Sequence, residues 1–185
     1  EQQRYWFPRL APGKILAVAM SEPEVGSDLG KLSCTAIKDP SGEFYIVNGR
    51  KMWISNGSIA DFIVCACVTR DHDELPGGKK RISLLVIEKG MKGFSGSKRV
   101  KKLGKLGQDT CLLTLQDVKV PVSNLIAEEG SGFRLMMGQL AKERLIIAVS
   151  AMAAVRRVLS LTTNYVQGRA AFGGSIGDLQ NTQMV

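Results

Sequence analysis

The stretch Phe62–Val68, FIVCACV, decides the fold of this chain. Seven apolar residues in a row, rich in β-branched side chains and bounded by polar positions, are typical of a buried β-strand. On such a strand Cys65 and Cys67 lie on the same face. We therefore interpret them as core residues of a protein from a reducing compartment.

Short β-branched and aromatic runs continue on both sides of this stretch, from Ile15 to about Asn124. They include Phe44–Val47 (FYIV) and Ile82–Ile87 (ISLLVI), and turn signals such as Gly90–Gly93 separate them. This spacing predicts a compact antiparallel β-barrel or sandwich. A Rossmann domain is excluded, because the sequence has neither strand-helix alternation nor a glycine-rich phosphate loop ahead of a helix.

The character of the sequence changes after Pro121. From about Gly132 to Val166, apolar residues recur at helical spacing, which predicts a helix much longer than average. A break near Gly173 precedes Asp178, which we expect to cap a further helix. The predicted fold class is α+β, an antiparallel β-barrel or sandwich middle domain followed by a long α-helix.

Composition indicates an ordered, soluble globular protein. The chain has 185 residues, 44% hydrophobic and 23% charged. We find no run of roughly 20 apolar residues that would span a bilayer and no signal peptide at the start. The sequence has no CxxC motif, and His72 is its one histidine, so no metal site is predicted.

The net charge of +8 favours anionic partners. A nucleotide cofactor, a CoA thioester and nucleic acid all qualify. The densest basic run, residues 98–105 (KRVKKLGK), alternates charge with small or apolar residues, which fits a half-exposed strand and turn. We prefer a solvated surface as its explanation, and nucleic-acid binding stays open as the alternative.

Two motifs carry the chemistry. In Ser21–Asp28 (SEPEVGSD), small hydroxyls flank Pro23 and Gly26, which bend the backbone so that amides and hydroxyls converge on an anion. In Trp53–Gly57 (WISNG), the indole offers a flat apolar wall, and Ser55 offers a donor on the same face of a strand. A phosphate or flavin edge suits the first motif, and an isoalloxazine ring suits the second.

These motifs resemble the flavin-binding loops of the acyl-CoA dehydrogenases. Arg169–Gly173 (RAAFG) with Gln180 resembles the segment through which one subunit of that family reaches its neighbour's flavin. The resemblance runs from about residue 5 to the end and implies FAD as cofactor. The residues it places at the cofactor are Met20, Ser21, Gly26, Ser27, Trp53, Ile54, Ser55, Arg169, Phe172 and Gln180.

The resemblance also implies a catalytic base. Most members carry it late in the C-terminal domain, whereas the long-chain and isovaleryl types carry it on the first long helix, before an arginine. Lys142–Leu145 (KERL) is similar to those types, which makes Glu143 the candidate base. A solvated helix face is the alternative. The residues implied at the substrate are Ser27, Lys79, Lys80, Arg134, Glu143 and Arg144.

The domain organisation follows from the same resemblance. Residues 1–14 are interpreted as the end of an N-terminal helical domain and a linker, residues 15–125 as the middle β-domain, and residues 126–185 as the truncated start of a C-terminal helical bundle. One sheet face cannot cover the apolar stripe of so long a helix. We therefore interpret the chain as a fragment or a truncated paralogue.

The expected activity is the oxidation of a fatty acyl-CoA to its trans-2-enoyl thioester in fatty-acid β-oxidation, closest to the long-chain type. The expected electron acceptor is an electron-transferring flavoprotein, and the expected assembly is a homodimer or homotetramer. The expected location is the mitochondrial matrix in a eukaryote or the cytoplasm in a bacterium. The alternatives are an acyl-CoA oxidase, a flavin-bearing paralogue that binds nucleic acid, and a structural fragment that is inactive when isolated.

Overall fold

The chain divides into two compact units, Glu1–Met136 and Met137–Val185. The computed structural model describes residues 2–70 and 80–184. In the first unit, α1 (Gln2–Leu10) precedes the strands. Their bounds are β1 Leu16–Ala19, β2 Thr35–Lys38, β3 Phe44–Ser55, β4 Phe62–Arg70, β5 Arg81–Glu88, β6 Phe94–Gly96, β7 Thr110–Pro121 and β8 Leu125–Ile126.

The described strands form one eight-stranded sheet in the order β6-β7-β3-β2-β4-β5-β8, with β1 beside β4. The predicted β-rich middle region is confirmed, but two features of the predicted antiparallel barrel are wrong. Both β1 and β2 pair with β4 in parallel. Within residues 2–70 and 80–184, β6 and β8 remain as edges, so the sheet is not closed into a barrel. Strand direction was not predictable, because a buried strand is an apolar run in either orientation.

The core of the first unit lies along β3, β4 and β7. Cys65 and Cys67 are both fully buried in it as free thiols, which confirms their predicted place in a buried strand. The helix α1 belongs to the same unit, and its Trp6 packs against Phe62 and Val86. Arg9 extends this contact with an ion pair to Glu88 at 2.5 Å.

The predicted long helix is confirmed as α2, Gly132–Gly168, with 37 residues. Part of it has a mean hydropathy of 1.7, so by length and composition alone it is able to cross a membrane. The expectation that the sequence has no such stretch was therefore wrong. Arg156 and Arg157 interrupt the apolar run of α2. A count of consecutive apolar residues therefore does not detect the helix as a possible membrane span. A helix that is apolar all round is equally typical of a bundle core.

The second unit ends in a small hairpin and a short helix. Strands β9 (Ala170–Ala171) and β10 (Gly174–Ser175) are joined by Phe172 and Gly173. A 3₁₀ turn, Ile176–Asp178, leads to α3 (Gln180–Gln183).

The predicted cap of the last helix was wrong. The N-cap of α3 is Leu179, which makes no side-chain hydrogen bond. Asp178 instead accepts a hydrogen bond from Ser175 N at 3.1 Å, which completes a capping box on the preceding 3₁₀ turn. Asp178 lies close to the start of α3, as predicted, but its side chain caps the 3₁₀ turn before that helix.

Candidate flavin and substrate site

Hydrogen bonds join the first motif to the strand that carries the second. Met52 N donates to Ser21 O at 2.9 Å, and Lys51 Nζ donates to Met20 O at 3.1 Å. Because Trp53 directly follows Met52, the backbone of residues 20–21 lies beside the start of WISNG. The structure therefore brings together two segments that are about 30 residues apart in sequence.

A buried carboxylate holds the first motif in shape. Glu22 accepts hydrogen bonds from Ser33 N at 2.8 Å, Ser33 Oγ at 2.6 Å and Cys34 N at 2.9 Å. A fourth comes from Lys51 Nζ at 2.9 Å. Burial by itself raises the pKa of Glu22, but the hydrogen bonds from Ser33 and Lys51 and the Lys51 charge outweigh it, so the pKa lies below its ordinary 4.5.

Glu22 and Lys51 were missed by the sequence analysis. Their side chains are 2% and 0% exposed, and burial of a charged residue depends on tertiary contacts rather than on local pattern. The one available signal was Lys51 itself, a lysine at a strand position where the alternation calls for an apolar residue.

The turn of the first motif is closed by the backbone. Glu22 N donates to Val25 O at 2.8 Å, and Val25 N donates to Glu22 O at 3.1 Å. Gly26 and Ser27 follow and are exposed. Ser27 is thus available to a ligand, and its predicted contact with cofactor and substrate stays a prediction.

The second motif lies on an irregular part of β3. The pairing of β3 with β7 shifts register between Lys51 and Ile54, and Trp53 and Asn56 have left-handed φ values of 63° and 62°. The apolar side chain of Trp53 is 55% exposed, whereas Ile54 is only 3% exposed. Trp53 and Ser55 are thus both exposed on either side of a buried residue, as alternation predicted, although the bulge was not predicted.

Residues 108–109, in the loop directly before β7, support this segment. Gln108 Nε2 donates to Ser55 Oγ at 3.1 Å, which leaves the Ser55 hydroxyl hydrogen to donate to a ligand. Asp109 O accepts from Asn56 N at 3.2 Å, and Asp109 Oδ2 accepts from Ser58 N at 3.0 Å. The other carboxylate oxygen, Oδ1, is buried 3.5 Å from Arg99 Nε, and among residues 2–70 and 80–184 it has no hydrogen-bond partner.

The first unit contains the predicted substrate residues Lys80 and Arg134. Lys80 is partly buried, and its Nζ donates to Leu32 O at 2.9 Å, which occupies one of its three hydrogens. Arg134 is exposed near the start of α2. Lys79 lies outside the described residues. Contact of these three residues with acyl-CoA stays a prediction.

The second unit carries the remaining predicted residues. Glu143 and Arg144 are exposed on α2, and Gln180 is exposed as the first residue of α3. Arg169 follows α2 directly, and its carbonyl accepts from Ile176 N at 2.9 Å. Phe172 is 95% exposed at the tip of the hairpin, with a left-handed φ of 53°. Such an aromatic ring at a turn suits contact with another surface better than packing within this unit.

An apolar cavity of about 330 Å³ lies elsewhere in the first unit, between α1 and the sheet. Trp6, Phe62 and Val86 are among the residues that line it. It contains none of the predicted site residues, so cavity volume does not locate the candidate site.

The fold and the site define a two-unit α+β protein whose sheet presents an exposed indole and a hydroxyl donor. The family model for the acyl-CoA dehydrogenase middle domain matches residues 17–118, and the model for the acyl-CoA dehydrogenase C-terminal domain matches residues 130–184. The chain belongs to the acyl-CoA dehydrogenase family, which confirms the resemblance found in the sequence.

Curated relatives of two substrate types are equally similar. The mitochondrial long-chain specific acyl-CoA dehydrogenase of Sus scrofa is 39% identical over 184 residues, which is 99% of this chain and 42% of that protein. The mitochondrial isovaleryl-CoA dehydrogenase of Oryza sativa subsp. japonica is 39% identical over 183 residues, 98% of this chain and 43% of that protein. The chain thus spans less than half the length of these relatives.

Solved structures agree with the family assignment. An acyl-CoA dehydrogenase from Geobacillus kaustophilus is 45% identical with a TM-score of 0.90, covering 99% of this chain and 47% of that one. An acyl-CoA dehydrogenase complexed with FAD, from Bacillus anthracis, is 30% identical with a TM-score of 0.87, covering 98% of this chain and 31% of that one. The residues matched by the C-terminal domain model include all of α2. This match favours α2 as a helix of that domain over a membrane-spanning helix.

Proposed function

We propose that the chain is the central part of an FAD-dependent acyl-CoA dehydrogenase that converts a fatty acyl-CoA to its trans-2-enoyl thioester. The observation that carries this proposal is the hydrogen bond from Met52 N to Ser21 O at 2.9 Å. It joins the SEPEVGSD turn to the WISNG strand in a chain that matches both family domains.

The residues present fit a flavin. A flat ring system needs an apolar wall and donors at its edge. Trp53 supplies an indole that is 55% exposed, at the cost of a left-handed backbone. Ser55 supplies a hydroxyl hydrogen, because Gln108 already fills an acceptor position on its oxygen. Met20 and Ser21 would bind the pyrimidine end, with Gly26 and Ser27 close to the phosphates.

Dehydrogenation next to a thioester needs a base for the acidified α-proton and an acceptor for the β-hydride. FAD, when bound, supplies the hydride acceptor. Glu143 takes the α-proton onto its carboxylate, and Arg144 beside it contributes positive charge at the substrate. Glu143 is the one acidic residue among the 37 of α2. Glu143 is exposed on α2, so its carboxylate is open to a ligand.

The other predicted contacts complete the assignment. Ser27, Lys80, Arg134 and Lys79 would bind the CoA part of the substrate, where positive charge suits phosphate groups. Arg169, Phe172 and Gln180 would contact the FAD of a second copy in a homodimer or homotetramer. The 95% exposure of Phe172 supports this role.

We infer a long-chain acyl-CoA as substrate. The supporting feature is that Gly90–Phe94 (GMKGF) and Gly107–Thr110 (GQDT) resemble the long-chain type more than the short- or medium-chain types. The relatives include long-chain and isovaleryl enzymes at the same 39% identity, so isovaleryl-CoA is the competing substrate. An electron-transferring flavoprotein would reoxidise the cofactor. Because both relatives are named as mitochondrial proteins, we place the protein in the mitochondrial matrix of a eukaryote, or in the cytoplasm of a bacterium.

The test is the visible absorbance of the full-length protein before and after anaerobic titration with acyl-CoAs of graded length. A yellow protein that long acyl-CoAs bleach supports the proposal, and bleaching by isovaleryl-CoA alone would move the substrate to that branch. A colourless protein that binds no added FAD overturns it. Reoxidation by oxygen with release of peroxide would identify an oxidase.

Glu143→Gln tests the base. We expect the variant to keep its FAD and to be reduced by substrate at least about 100-fold more slowly, the usual scale of general base catalysis. Glu43→Gln is the matched control, because this carboxylate is exposed at the turn before β3. Reduction of Glu143→Gln at the wild-type rate would show that the base lies elsewhere.

A further inference from the structure

The basic run of residues 98–105 fixes the loop that leads into β7. Lys102 Nζ donates to Gln108 O at 2.9 Å and to Thr110 Oγ1 at 2.7 Å. Gln108 N donates to Lys105 O at 3.0 Å. The backbone of Gln108 is therefore held in place by Lys102 and Lys105.

Strand pairing places this loop beside the end of β3. Thr110, the first residue of β7, is the register partner of Ser55, the last residue of β3. Beyond this pair, Asn56 N donates to Asp109 O at 3.2 Å. The Gln108 side chain thereby reaches Ser55, and its Nε2 donates to Ser55 Oγ at 3.1 Å.

This hydrogen bond decides where the Ser55 hydroxyl hydrogen points. A serine hydroxyl has one hydrogen and two lone pairs, and the hydrogen takes one of three staggered positions. Because the Gln108 amide hydrogen occupies one lone-pair direction, the hydroxyl hydrogen is excluded from that position. Among residues 2–70 and 80–184, Gln108 is the one hydrogen-bond partner of Ser55 Oγ. The hydroxyl hydrogen is thus left for a ligand on the exposed side of Ser55.

We propose that Gln108 is a positioning residue for the flavin. Its amide keeps the Ser55 hydroxyl as a donor to the edge of the ring and thereby raises the affinity for oxidised FAD. The inference rests on the proposed function, in which Ser55 donates to the flavin. A glutamine suits this task, because its NH₂ group donates and the side chain adds no charge. Gln108 acts on the flavin through Ser55 and need not touch it.

The test is Gln108→Glu in the full-length protein, with the dissociation constant of oxidised FAD measured by titration of the apoprotein. The two side chains have nearly the same shape, but an ionised carboxylate only accepts hydrogen bonds. It takes the Ser55 hydroxyl hydrogen for itself, and a hydrogen bond to a charged group is a strong one. We expect the loss of this donor to weaken FAD binding by about tenfold.

The same substitution in a Ser55→Ala background is the matched control. Without the hydroxyl, Gln108→Glu changes only the charge beside the site. We expect the fold-change in FAD affinity to be about ten times larger with Ser55 present than without it. Equal fold-changes in the two backgrounds would show that Gln108 does not act through Ser55, which overturns the proposal.

A spectroscopic measurement separates positioning from a merely structural role and decides the case if Gln108→Glu fails to fold. The visible absorbance of a bound flavin depends on the hydrogen bonds to its ring. Gln108→Ala adds no charge and lets the hydroxyl hydrogen spread over all its staggered positions. It should therefore shift the visible bands part of the way toward those of Ser55→Ala. Bands identical to those of the wild type overturn the proposal.

The failure of this proposal is distinguishable from the failure of the proposed function. A wild-type protein that binds no FAD removes the proposed function. A wild-type protein that binds FAD and is bleached by acyl-CoA, but whose FAD affinity and visible bands respond to Gln108 substitutions independently of Ser55, removes only the role of Gln108.

Discussion

Replacing Lys51 with methionine is expected to destabilise the first unit by about 3–5 kcal/mol at neutral pH. The side chains of the Lys51–Glu22 pair are 0% and 2% exposed, with Nζ and Oε1 2.9 Å apart. Methionine is close to lysine in length, so the loss of packing is small. The loss of stability comes from the Glu22 carboxylate, which would remain buried without the Lys51 cation.

The size of the effect should depend on pH. Because the folded pKa of Glu22 is depressed, its stabilisation is present above its ordinary value of 4.5 and is lost as the pH falls through the folded value. Lys51 has a raised pKa and stays charged across this range. Without Lys51, burial raises the pKa of Glu22. The destabilisation by Lys51→Met is therefore largest above the pH at which the stranded carboxylate takes up a proton, and it shrinks as the pH falls from there toward the folded pKa of wild-type Glu22.

Urea denaturation followed by tryptophan fluorescence measures this, since Trp6 and Trp53 both lie in the first unit. A loss of about 3–5 kcal/mol corresponds to a midpoint shift of roughly 1–3 M urea. Glu22→Gln with Lys51→Met should recover much of the loss, because removing both partners strands no charge. Lys31→Met is the control, as its pair with Asp28 is 79% and 64% exposed. A Lys51→Met protein as stable as wild type at pH 7 refutes the reasoning.

Two further substitutions test the packing of the sheet and the support of the WISNG segment. Gly93→Ala should destabilise the protein by more than about 1 kcal/mol, because the new Cβ would lie 2.0 Å from Gln116 O at a φ of +87°. Gly104→Ala is the control in the same urea assay, because Gly104 has a similar φ of +81° but open space around it. Its effect gives the cost of backbone strain alone. Asp109→Ala strands the Ser58 amide and should cost about 1–3 kcal/mol. It should also weaken FAD binding in a fluorescence titration, and unchanged affinity would remove Asp109 from the site.

The fold was predictable where the pattern is local. An apolar run marks Phe62–Val68 as a buried strand in any topology. Helical periodicity predicted a helix from about Gly132 to Val166, and the structure has it over Gly132–Gly168. The parallel pairing of β1 and β2 with β4 and the open edges of the sheet depend on which strands meet. No single segment encodes that information. The same limit hid the contact of Cys34 with Cys67, whose sulfurs lie 3.8 Å apart because β2 lies beside β4.

The candidate site divides in the same way. Trp53 and Ser55 were predicted from motif and alternation, because exposed ligand-facing groups must have particular chemistry at particular spacing. The residues that hold them, Glu22, Lys51 and Asp109, have ordinary identities and unusual burial. Burial follows from the whole sheet, so these supporting residues appear only in the structure.

The position of Lys51 explains why a charged pair lies in a largely apolar core. An apolar pair of similar volume often stabilises a fold as well or better, so stability alone does not account for it. Lys51 Nζ also donates to Met20 O at 3.1 Å, and Glu22 gathers the amides of Ser33 and Cys34. The pair thereby fixes a loop that has few apolar side chains of its own. Geometry at the candidate flavin site is set from inside the sheet, and the exposed hydroxyls and indole are left to meet the ligand.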